Sequence, residues 1–336
     1  MTIRLLLVND SSTARASLRA AMADELDIEV VGELASGSKA VDAVEALTPD
    51  VVLLDIVMPD TDGYEVARQI MRLRPIPILM VSGSISPKDV AAAMEALRAG
   101  AIAVLEAPPP PDDARYEVTR RALIHTVRSA AALPPKQPRT GARDTPVYAA
   151  PEVSRSFDVA AIVASLGGPP VVADILLALA LDHPPVLLVQ HIEATFVDGF
   201  VRWLGTAVRT KVVIAGHGQH LERGTVYVPP GDHHIGVTAQ GDVALATTPP
   251  QGGFRPSGSY SLSSVARTYG KRALGIILTG MGSDGADGAV ALHSAGGFVI
   301  AQDESSCAVA GMTNAARSRG AVNLTLGPGA IAAHIR

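Results

Sequence analysis

Cysteine is nearly missing from this chain, and long apolar runs are missing altogether. Cys307 is the single cysteine among 336 residues, so no disulfide can form within the chain. No run reaches the roughly 18 apolar residues that a membrane-spanning helix needs. The opening run IRLLLV is also too short for the apolar core of a signal peptide. These absences predict a protein of the reducing cytoplasm that does not insert directly into a membrane.

An excess of charge of one sign is missing as well. The chain has 33 acidic and 28 basic residues, a net charge of -5 at pH 7, and both signs are spread along its length. A nucleic-acid-binding surface or a polybasic membrane patch needs clustered Lys and Arg. We therefore expect neither partner, and the function has to be argued from candidate sites. The length itself favours two domains.

The first 105 residues alternate apolar runs with Ala-rich amphipathic stretches. The apolar runs are IRLLLV, IEVVGEL, DVVLLD, PILMVS and AIAVLE. Strands that are apolar throughout and alternate with helices are typical of a parallel sheet covered on both faces. A helix over about residues 114 to 131 closes this half. We predict a doubly wound α/β domain over residues 1 to 132.

A Pro-rich segment, residues 133 to 156, has neither a helical nor a strand period and is predicted to be a linker. Residues 157 to 336 then repeat the α/β alternation. The strand-like runs are FDVAAIVAS, PPVLLVQH, KVVIAG, TVYVPP, LGIILTG and GGFVIAQ. Two further runs, HIGVTA and DVALAT, flank QG and predict an inserted β-hairpin. We expect a second, Rossmann-like α/β domain.

Polar residues end several strands of the first half. Asp10 follows the first strand, Asp55 ends DVVLLD and Ser82 ends PILMVS. Ligands gather beyond the carboxyl ends of parallel strands, and clustered carboxylates suit Mg²⁺. A carboxylate beside that ion can act as a nucleophile toward phosphorus, and a nearby hydroxyl can hydrogen-bond the phosphoryl oxygens. The spacing alone leaves open that the aspartates only cap helices.

The segment LLDIVMPDTDGYE resembles the phosphoacceptor segment of response-regulator receiver domains, and the resemblance covers residues 3 to about 130. It implies a flavodoxin-like fold and a sensor histidine kinase as phosphodonor. It also implies Asp55 as the phosphorylated residue, Asp10 and Asp55 as ligands of Mg²⁺, and Ser82 as the switch hydroxyl.

The chain departs from that family at two places. Asn9 and Asp10 stand where the family has an acidic pair, so Mg²⁺ should bind more weakly, although Asn9 can hold a metal-bound water. Ala107 precedes Pro108 where the family has Lys-Pro. The lysine is a point charge that pairs with the phosphoryl group, so its loss weakens the case for a switch driven by phosphorylation.

Three residues of the second half combine into a possible hydrolytic site. A serine hydroxyl needs a base within hydrogen-bond reach and a third group to orient that base. Ser165 follows VAAIVA, His191 ends PPVLLVQH, and Asp284 lies in the glycine-rich loop after GIIL. All three stand at carboxyl ends of predicted parallel strands, which makes a Ser-His-Asp triad geometrically reasonable. Each also has a simpler interpretation: a cap, a half-buried histidine or a turn residue.

The surroundings of Ser165 distinguish the predicted fold from the α/β-hydrolases. The chain order Ser, His, Asp differs from theirs, and Val163 breaks the G-x-S-x-G elbow. Gly167 and Gly168 would let the chain turn sharply into a helix whose free N–H groups face an oxyanion. The loop TGMGSDG can bring a second backbone donor close to the same point.

The motifs ASLGG, LLVQH, FRPS, GIILTGMGSDGADG and AQDESSCAVAGM resemble the catalytic domain of chemotaxis protein-glutamate methylesterases, the CheB family, over residues 157 to 325. The resemblance implies Ser165 as nucleophile, His191 as general base and then acid, and Asp284 as the group that orients His191. It also implies an oxyanion contact from Met281, and places Arg255 and Ser257 along the substrate cleft.

The implied activity is hydrolysis of glutamate methyl esters on methyl-accepting receptors, with release of methanol, no cofactor for the esterase and regulation by the receiver domain. Two alternatives stay open: a glutamine deamidase acting on the same receptors, and a non-catalytic adaptor that binds through its receiver. Leu166, Ser259 and the stretch HIEATF depart from the family and predict a shifted substrate preference. The stretch QHIEATFVDGFVRWLG is more similar to the branch that serves surface-sensing (Wsp-like) pathways.

Two other features could indicate a metal site or a reactive thiol. Four histidines stand close together in sequence, but structural zinc sites usually bring cysteines or four ligands at regular spacing. We therefore expect histidines of surface loops: His217, His220, His233 and His234. Cys307 lies in the motif DESSCAVAGM with no histidine nearby in sequence, and we expect a small buried apolar side chain.

Overall fold

The computed structural model describes residues 2–59, 61–82, 87–133 and 155–336. The chain divides into two units, with the boundary between residues 142 and 143. That boundary falls inside the predicted linker, nearly all of which lies outside the described residues. The exact extents of the two domains therefore stay predictions.

A parallel five-stranded sheet with the order β2-β1-β3-β4-β5 forms the centre of the first unit. Its strands are β1 (Ile3–Val8), β2 (Ile28–Leu34), β3 (Val51–Asp55), β4 (Ile78–Ser82) and β5 (Ala103–Glu106). The apolar residues of β3 and β4 are buried, as expected where helices cover both faces of a sheet. The predicted doubly wound fold is confirmed.

The helices of this unit follow the strands in alternation: α1 (Ser12–Met22), α2 (Ala40–Leu47), α3 (Gly63–Leu73), α4 (Pro87–Ala99) and α5 (Tyr116–Ala131). Ser11 caps α1, because its side chain accepts a hydrogen bond from the Ala14 N–H. Arg120 and Arg128 of α5 each form an ion pair of 2.7 Å with Glu25. These pairs fasten α5 to the turn between α1 and β2.

The second unit is built on a parallel sheet with the order β14-β13-β12-β6-β7-β9-β8. Its strands are β6 (Val159–Ala164), β7 (Val186–Gln190), β8 (Lys211–Ile214), β9 (Thr225–Val228), β12 (Ala273–Ile277), β13 (Phe298–Gln302) and β14 (Leu324–Leu326). Every residue of β6, β7 and β12 is buried, so these three strands form the middle of the core. The Rossmann-like α/β prediction is confirmed.

An antiparallel hairpin is inserted in this unit, as predicted. Its strands are β10 (His234–Val237) and β11 (Val243–Ala246), and they form a separate two-stranded sheet. The helices are α6 (Gly168–Leu177), α7 (Val197–Ala207), α8 (Gly258–Tyr269), α9 (Ala286–Ser294), α10 (Gly311–Ser318) and α11 (Pro328–Ile331). The Ser264 side chain of α8 accepts a hydrogen bond from the Val237 N–H of the hairpin. This bond ties the insertion to the core.

The strand order creates a crevice at one edge of the sheet. From β6 the chain crosses to β7 on one side, and β12 later pairs with β6 on the other side. Such a reversal of strand order opens a gap between the loops at the carboxyl ends of the strands, where ligands bind in open α/β sheets. The loops after β6, β7 and β12 all meet at this gap.

None of the described helices combines the length and the apolar character that crossing a bilayer requires.

Candidate active site

The loops after β6, β7 and β12 bring three predicted residues to one edge of the sheet. Ser165 directly follows β6, and its N–H donates to the Thr279 carbonyl at 3.0 Å. His191 directly follows β7, and its N–H donates to the Ala164 carbonyl at 2.9 Å. These backbone bonds continue the pairing of the strands beyond their ends, so the loops leave the sheet side by side.

The imidazole of His191 is paired with Asp284. Its Nε2 lies 2.8 Å from Asp284 Oδ2, and because an ionised carboxylate only accepts, Nε2 carries the hydrogen and donates. The other ring nitrogen, Nδ1, is buried and has no hydrogen-bond partner among the described residues. Nδ1 is therefore the nitrogen that is left to exchange a proton.

The carboxylate of Asp284 sits at the amino end of α8 and accepts several further hydrogen bonds. Three donors reach Oδ1: Ser257 Oγ at 2.8 Å, the Ser259 N–H at 3.0 Å and the Gly285 N–H at 2.8 Å. The Gly258 N–H reaches Oδ2 at 2.6 Å. Free N–H groups in the first turn of a helix favour a negative charge, so this position holds the carboxylate in place and ionised.

The pKa of Asp284 follows from two opposing effects. Burial by itself raises the pKa of this carboxyl, because a charged group loses its hydration. The hydrogen bond from His191, the charge of that ring and the N–H groups of Ser259 and Gly258 outweigh the burial, and the pKa lies well below its usual range. The side chain is therefore an anion wherever the protein is folded at ordinary pH.

Ser165 is half-buried at the start of a tight turn into α6. Gly167 has a φ of +74° and a Cβ there would lie 2.3 Å from Ala308 Cβ, while a Cβ on Gly168 would lie 2.4 Å from Gln190 Oε1. Only glycine fits both positions. The expected free N–H groups at the start of α6 are not there, because the Gly168 N–H donates to the Ser165 carbonyl at 2.8 Å and the next two residues, Pro169 and Pro170, have no N–H. The proposed oxyanion contact of Gly167 stays a prediction.

Polar residues at the strand ends, which the sequence analysis did not single out, tie the loops together. Gln190 ends β7, and its Nε2 donates to the carbonyls of Ser165 at 2.9 Å and His191 at 3.0 Å. Thr279 Oγ1 donates to the Leu166 carbonyl at 2.9 Å, and the Thr279 N–H donates to Gln302 Oε1 at 2.9 Å. Residues of this kind could have been found in the sequence, because each is a polar side chain at or just after the end of an apolar strand.

The structure corrects the expected place of Ser257. Its side chain was expected along the substrate cleft, but it is 0% exposed. Besides its bond to Asp284, Ser257 Oγ accepts from the Tyr260 N–H at 3.3 Å and caps α8. Ser257 therefore supports the acidic residue of the site from beneath and does not face a substrate.

Arg255 is engaged differently from the expectation too. Its Nε and Nη2 donate to both carboxylate oxygens of Asp232, at 2.7 and 2.6 Å. Its Nη1 donates to the carbonyls of Thr247 and Thr248, at 3.0 and 3.1 Å. Because these bonds use four of the five guanidinium N–H donors, Arg255 anchors its loop, and its place along the substrate cleft stays a prediction. Met281 lies half-buried in the loop after β12, and its oxyanion role stays a prediction.

The expectation of surface histidines is wrong for one of the four. His234 is 0% exposed, its Nδ1 accepts from the Ser257 N–H at 3.1 Å, and its ring stacks on Tyr260 at 4.6 Å. His220 Nδ1, in contrast, lies 2.9 Å from Asp242 on the surface. Among the described residues, no three His, Cys, Asp or Glu side chains are grouped so that they could hold a metal ion.

The candidate phosphorylation site lies on the first sheet. Asp55 is the last residue of β3 and pairs with Val81, the neighbour of Ser82 at the end of β4. Asp10 follows β1, which is the neighbour of β3 on the other side. The three predicted residues therefore lie at the carboxyl ends of three adjacent strands. The carboxylates of Asp10 and Asp55 are hard oxygen donors of the kind that Mg²⁺ prefers.

The two departures from the receiver pattern also lie at this edge. Asn9 is buried, and its Oδ1 accepts from the Ser11 N–H at 2.9 Å, so it shapes the start of α1. The Ala107 N–H donates to the Ser82 carbonyl at 2.9 Å, which places the backbone of position 107 beside that of Ser82. A lysine at position 107 would have its backbone next to Ser82. The positive charge that this chain lacks is therefore lost at the candidate phosphorylation site.

Comparison with known proteins adds to this geometry. Residues 160–335 match the model of the family described as CheB methylesterase, and residues 5–116 match the response regulator receiver domain. A protein-glutamate methylesterase/protein-glutamine glutaminase of Anaeromyxobacter dehalogenans is 42% identical, with 98% of this chain and 97% of the relative covered. A protein of the same description from Geobacter metallireducens is 39% identical, covering 97% and 96%. The crystal structure of the CheB methylesterase catalytic domain of Thermotoga maritima is 31% identical, covers 53% of this chain and 96% of that one, and has a TM-score of 0.51.

Proposed function

Because the chain belongs to the CheB methylesterase family and carries a response regulator receiver domain, we propose that Ser165, His191 and Asp284 hydrolyse glutamate methyl esters on methyl-accepting receptors. As a member of that family, the chain is an enzyme of the methylesterase/glutaminase type. The observation that carries the proposal is the pair of His191 and Asp284, 2.8 Å apart, on loops beside Ser165. This arrangement supplies a base, the group that orients it and a nucleophile.

In the acylation step, Ser165 Oγ attacks the carbonyl carbon of the ester. Its proton passes to His191 Nδ1, since Nε2 is engaged by Asp284. The tetrahedral intermediate collapses when the C–O bond to the methoxy group breaks, and that oxygen takes the proton from Nδ1 and leaves as methanol. Asp284 stays ionised throughout and stabilises the imidazolium.

In the deacylation step, a water molecule attacks the acyl-enzyme. His191 Nδ1 takes a proton from the water and then returns it to Ser165 Oγ as the ester bond to the serine breaks. The products are the free serine and a glutamic acid side chain, which releases its proton to the solvent and becomes a carboxylate. We place the negative oxygen of both intermediates against the backbone N–H groups of Gly167 and Met281, because such donors stabilise charge that develops in the transition state.

Glutamine deamidation is the second reaction that this site suits. The relatives from Anaeromyxobacter and Geobacter carry both activities in their descriptions. The same steps apply to an amide, with the nitrogen leaving as ammonia after it takes the proton from His191. The negative charge that either reaction adds to a receptor helix bundle would change how its helices repel one another.

Regulation is assigned to the receiver domain. In this proposal a sensor histidine kinase phosphorylates Asp55, Asp10 and Asp55 hold Mg²⁺, and Ser82 hydrogen-bonds the phosphoryl oxygens. The metal supplies positive charge that offsets the charge of the transferred phosphoryl group. We expect this chemistry to take place in the cytoplasm, and the assignment to a surface-sensing pathway stays a prediction.

Methanol release from methylated receptor membranes tests the function. The wild-type chain should release methanol, whereas Ser165→Ala and His191→Ala should lower the rate by roughly a thousandfold or more. Mass spectra of receptor peptides from the same samples separate ester hydrolysis from deamidation, because the two reactions start from different residues. Equal release by wild type and Ser165→Ala would overturn the proposed triad, and receptor binding without either reaction would favour the adaptor.

A further inference from the structure

One aromatic side chain lies flat against the imidazole of His191. The ring of Phe254 stacks on it with 4.1 Å between centroids and 5° between planes. Phe254 is half-buried, and the side chain of His191 is 9% exposed. The contact therefore covers one whole face of the ring that the proposed reaction protonates.

The chain before Phe254 forms a narrow turn that presents its ring. Gln251 and Phe254 exchange backbone hydrogen bonds, with N···O distances of 3.1 and 3.2 Å. Gly252 and Gly253 between them have φ values of +63° and +87°, which favour glycine. A Cβ at either glycine would meet nothing within 4 Å. The turn thus projects from the surface, while the ring at its end points back onto His191.

The residue after Phe254 fixes the other side of the turn. Arg255 is held by both oxygens of Asp232 and by two carbonyls. A bidentate guanidinium–carboxylate pair is directional, because its two bonds fix the plane of the arginine fork. The backbone of Phe254 is therefore held between the mutual bonds with Gln251 and the anchored side chain of Arg255.

The imidazole has only one directional bond to hold it. Nε2 is bonded to Asp284, whereas Nδ1 has no hydrogen-bond partner among the described residues. A ring held at one atom can still tilt about that atom, and a tilt changes the direction in which Nδ1 points. Contact across a whole face removes that freedom. An aromatic face also attracts a cation, and the imidazole becomes a cation when it takes the serine proton.

We propose that Phe254 is a positioning residue for the reaction: stacked on His191, it keeps Nδ1 directed toward Ser165 and stabilises the imidazolium, and the Arg255–Asp232 pair holds it there. The inference rests on the proposed triad and adds to it a residue that acts through His191 and does not contact the substrate. It also gives Arg255 a role that fits its observed partners.

The test compares Phe254→Leu with Phe254→Tyr in the full-length chain. Leucine keeps apolar volume and loses the aromatic face, whereas tyrosine keeps the face. Phe298→Leu is the matched control, because Phe298 is another half-buried phenylalanine at the start of β13, on the edge of the sheet opposite the site. Two quantities are measured: kcat and KM for methanol release, and the rate of inactivation by a small sulfonyl fluoride that reacts with activated serines.

We expect Phe254→Leu to lower kcat roughly tenfold, the size of a lost aromatic contact, with KM within about twofold of wild type. Inactivation by the sulfonyl fluoride should slow to a similar degree, since that reagent needs the Ser-His pair and no receptor contact. Phe254→Tyr should regain most of both rates, and Phe298→Leu should keep them.

A rise in KM alone would overturn the proposal, because it would make Phe254 part of the receptor-docking surface. So would a Phe254→Tyr variant as slow as Phe254→Leu. If Phe254→Leu fails to fold by circular dichroism, Asp232→Asn loosens the same loop from an exposed position and should lower kcat about threefold without raising KM; an unchanged kcat would then contradict the proposal. Activity in Ser165→Ala would overturn both the proposed triad and this inference. Inactive triad variants together with a fully active Phe254→Leu would overturn this inference alone.

Discussion

A single carboxylate, that of Asp284, collects donors from three parts of the second domain: the His191 ring, the first turn of α8 and the Gly285 N–H. An asparagine at this position has the same shape, but an NH2 group, which only donates hydrogen bonds, replaces one of the two accepting oxygens. The donors that face this NH2 group then lose their acceptor. We expect Asp284→Asn to lower the free energy of unfolding by about 2 kcal/mol at pH 7 and to remove most of the activity. Urea unfolding and methanol release measure the two effects.

Because the pKa of Asp284 is lowered, the stability that is lost in Asp284→Asn depends on pH. Below about pH 4 an unfolded aspartate takes up a proton that the native carboxylate does not, so acid favours the unfolded state. The stabilisation by Asp284 is therefore complete above that pH and declines as pH falls toward the lowered native pKa. The stability gap between wild type and Asp284→Asn should narrow in acid. A gap that widens below pH 4 contradicts the assigned direction.

Gly280 allows the close approach of two neighbours at the site. A Cβ there would lie 2.7 Å from Ser165 Cβ and 2.1 Å from Met312 Sδ. The methionine can move, but the serine Cβ is fixed to the backbone. We expect Gly280→Ala to cost about 1 to 3 kcal/mol of stability and to lower kcat by displacing Ser165. Thermal unfolding measures the loss of stability, and kinetics on the same preparation measure kcat. A Gly280→Ala variant with the kcat of wild type would show that the serine had not moved.

Cys307 is half-buried, and burial raises the pKa of its thiol to about 11. Only the thiolate reacts with alkylating reagents, so we expect iodoacetamide to label the native chain very slowly at pH 7.5 and the urea-unfolded chain rapidly. Mass spectrometry counts the adduct. Rapid labelling of the native protein, or loss of esterase activity on labelling, would contradict this expectation.

Sequence reasoning reached some residues of the site and missed others for a physical reason. Ser165, His191 and Asp284 could be selected because each lies in the loop that follows an apolar strand, and such loops meet at one edge of a parallel sheet. Phe254 lies in an irregular loop, where no period relates a residue to its neighbours in space. Ser257 was misplaced for the same reason: its distance from Asp284 is set by α8, which the motif alone does not position.

At the level of elements, periodicity located most strands because buried parallel strands are apolar along their whole length. The short strand β14 escaped, since three residues with one exposed side chain carry no pattern. The hairpin of β10 and β11 was found from its QG turn, whose glycine, Gly241, has a φ of +90°. Turn chemistry is local, so it can be read from a dipeptide, whereas the order of strands in the sheet depends on which faces pack together.

One glycine inside a helix offers a test at this scale. Gly205 lies in α7, is exposed, and a Cβ there would meet nothing within 4 Å. Alanine loses less backbone entropy on folding than glycine does, so Gly205→Ala should raise the free energy of unfolding by about 0.5 to 1 kcal/mol with activity unchanged. Urea unfolding measures this gain. A destabilised variant would mean that α7 ends earlier than the structure has it.

In the molecule as a whole, the candidate site residues of the two units lie at the same position relative to their sheets. Both sheets are parallel, and both hold their candidate residues beyond the carboxyl ends of neighbouring strands. The family assignment covers the full order of receiver and catalytic domain. The receiver pattern was recognisable because its phosphoacceptor segment is continuous in sequence, whereas the effect of Ala107 depends on its place beside Ser82.

We expect the residue at position 107 to determine how strongly phosphorylation of the receiver changes the esterase activity. With alanine there, a small phosphodonor and Mg²⁺ should change methanol release by the full-length chain only weakly. Ala107→Lys restores a positive charge beside Ser82 and should increase the response severalfold, because a lysine pairs with the phosphoryl group as a point charge. Methanol release with and without phosphodonor measures it.

Asp55→Asn is the control for this experiment and should abolish the response in either background. A response that persists in Asp55→Asn would place the phosphorylated residue elsewhere. An Ala107→Lys variant that responds no more than wild type would show that the lost lysine is not what limits the switch.

The polar strand ends Gln190, Thr279 and Gln302 have a consequence for the thermodynamics of association. Because their side chains already fasten the loops of the site to one another, little conformational entropy is left in those loops for a substrate to remove. In the proposed reaction, the ordering cost of forming the complex then falls on the receptor segment. We therefore expect the flexibility of the receptor around each glutamate to set which side chains can reach Ser165.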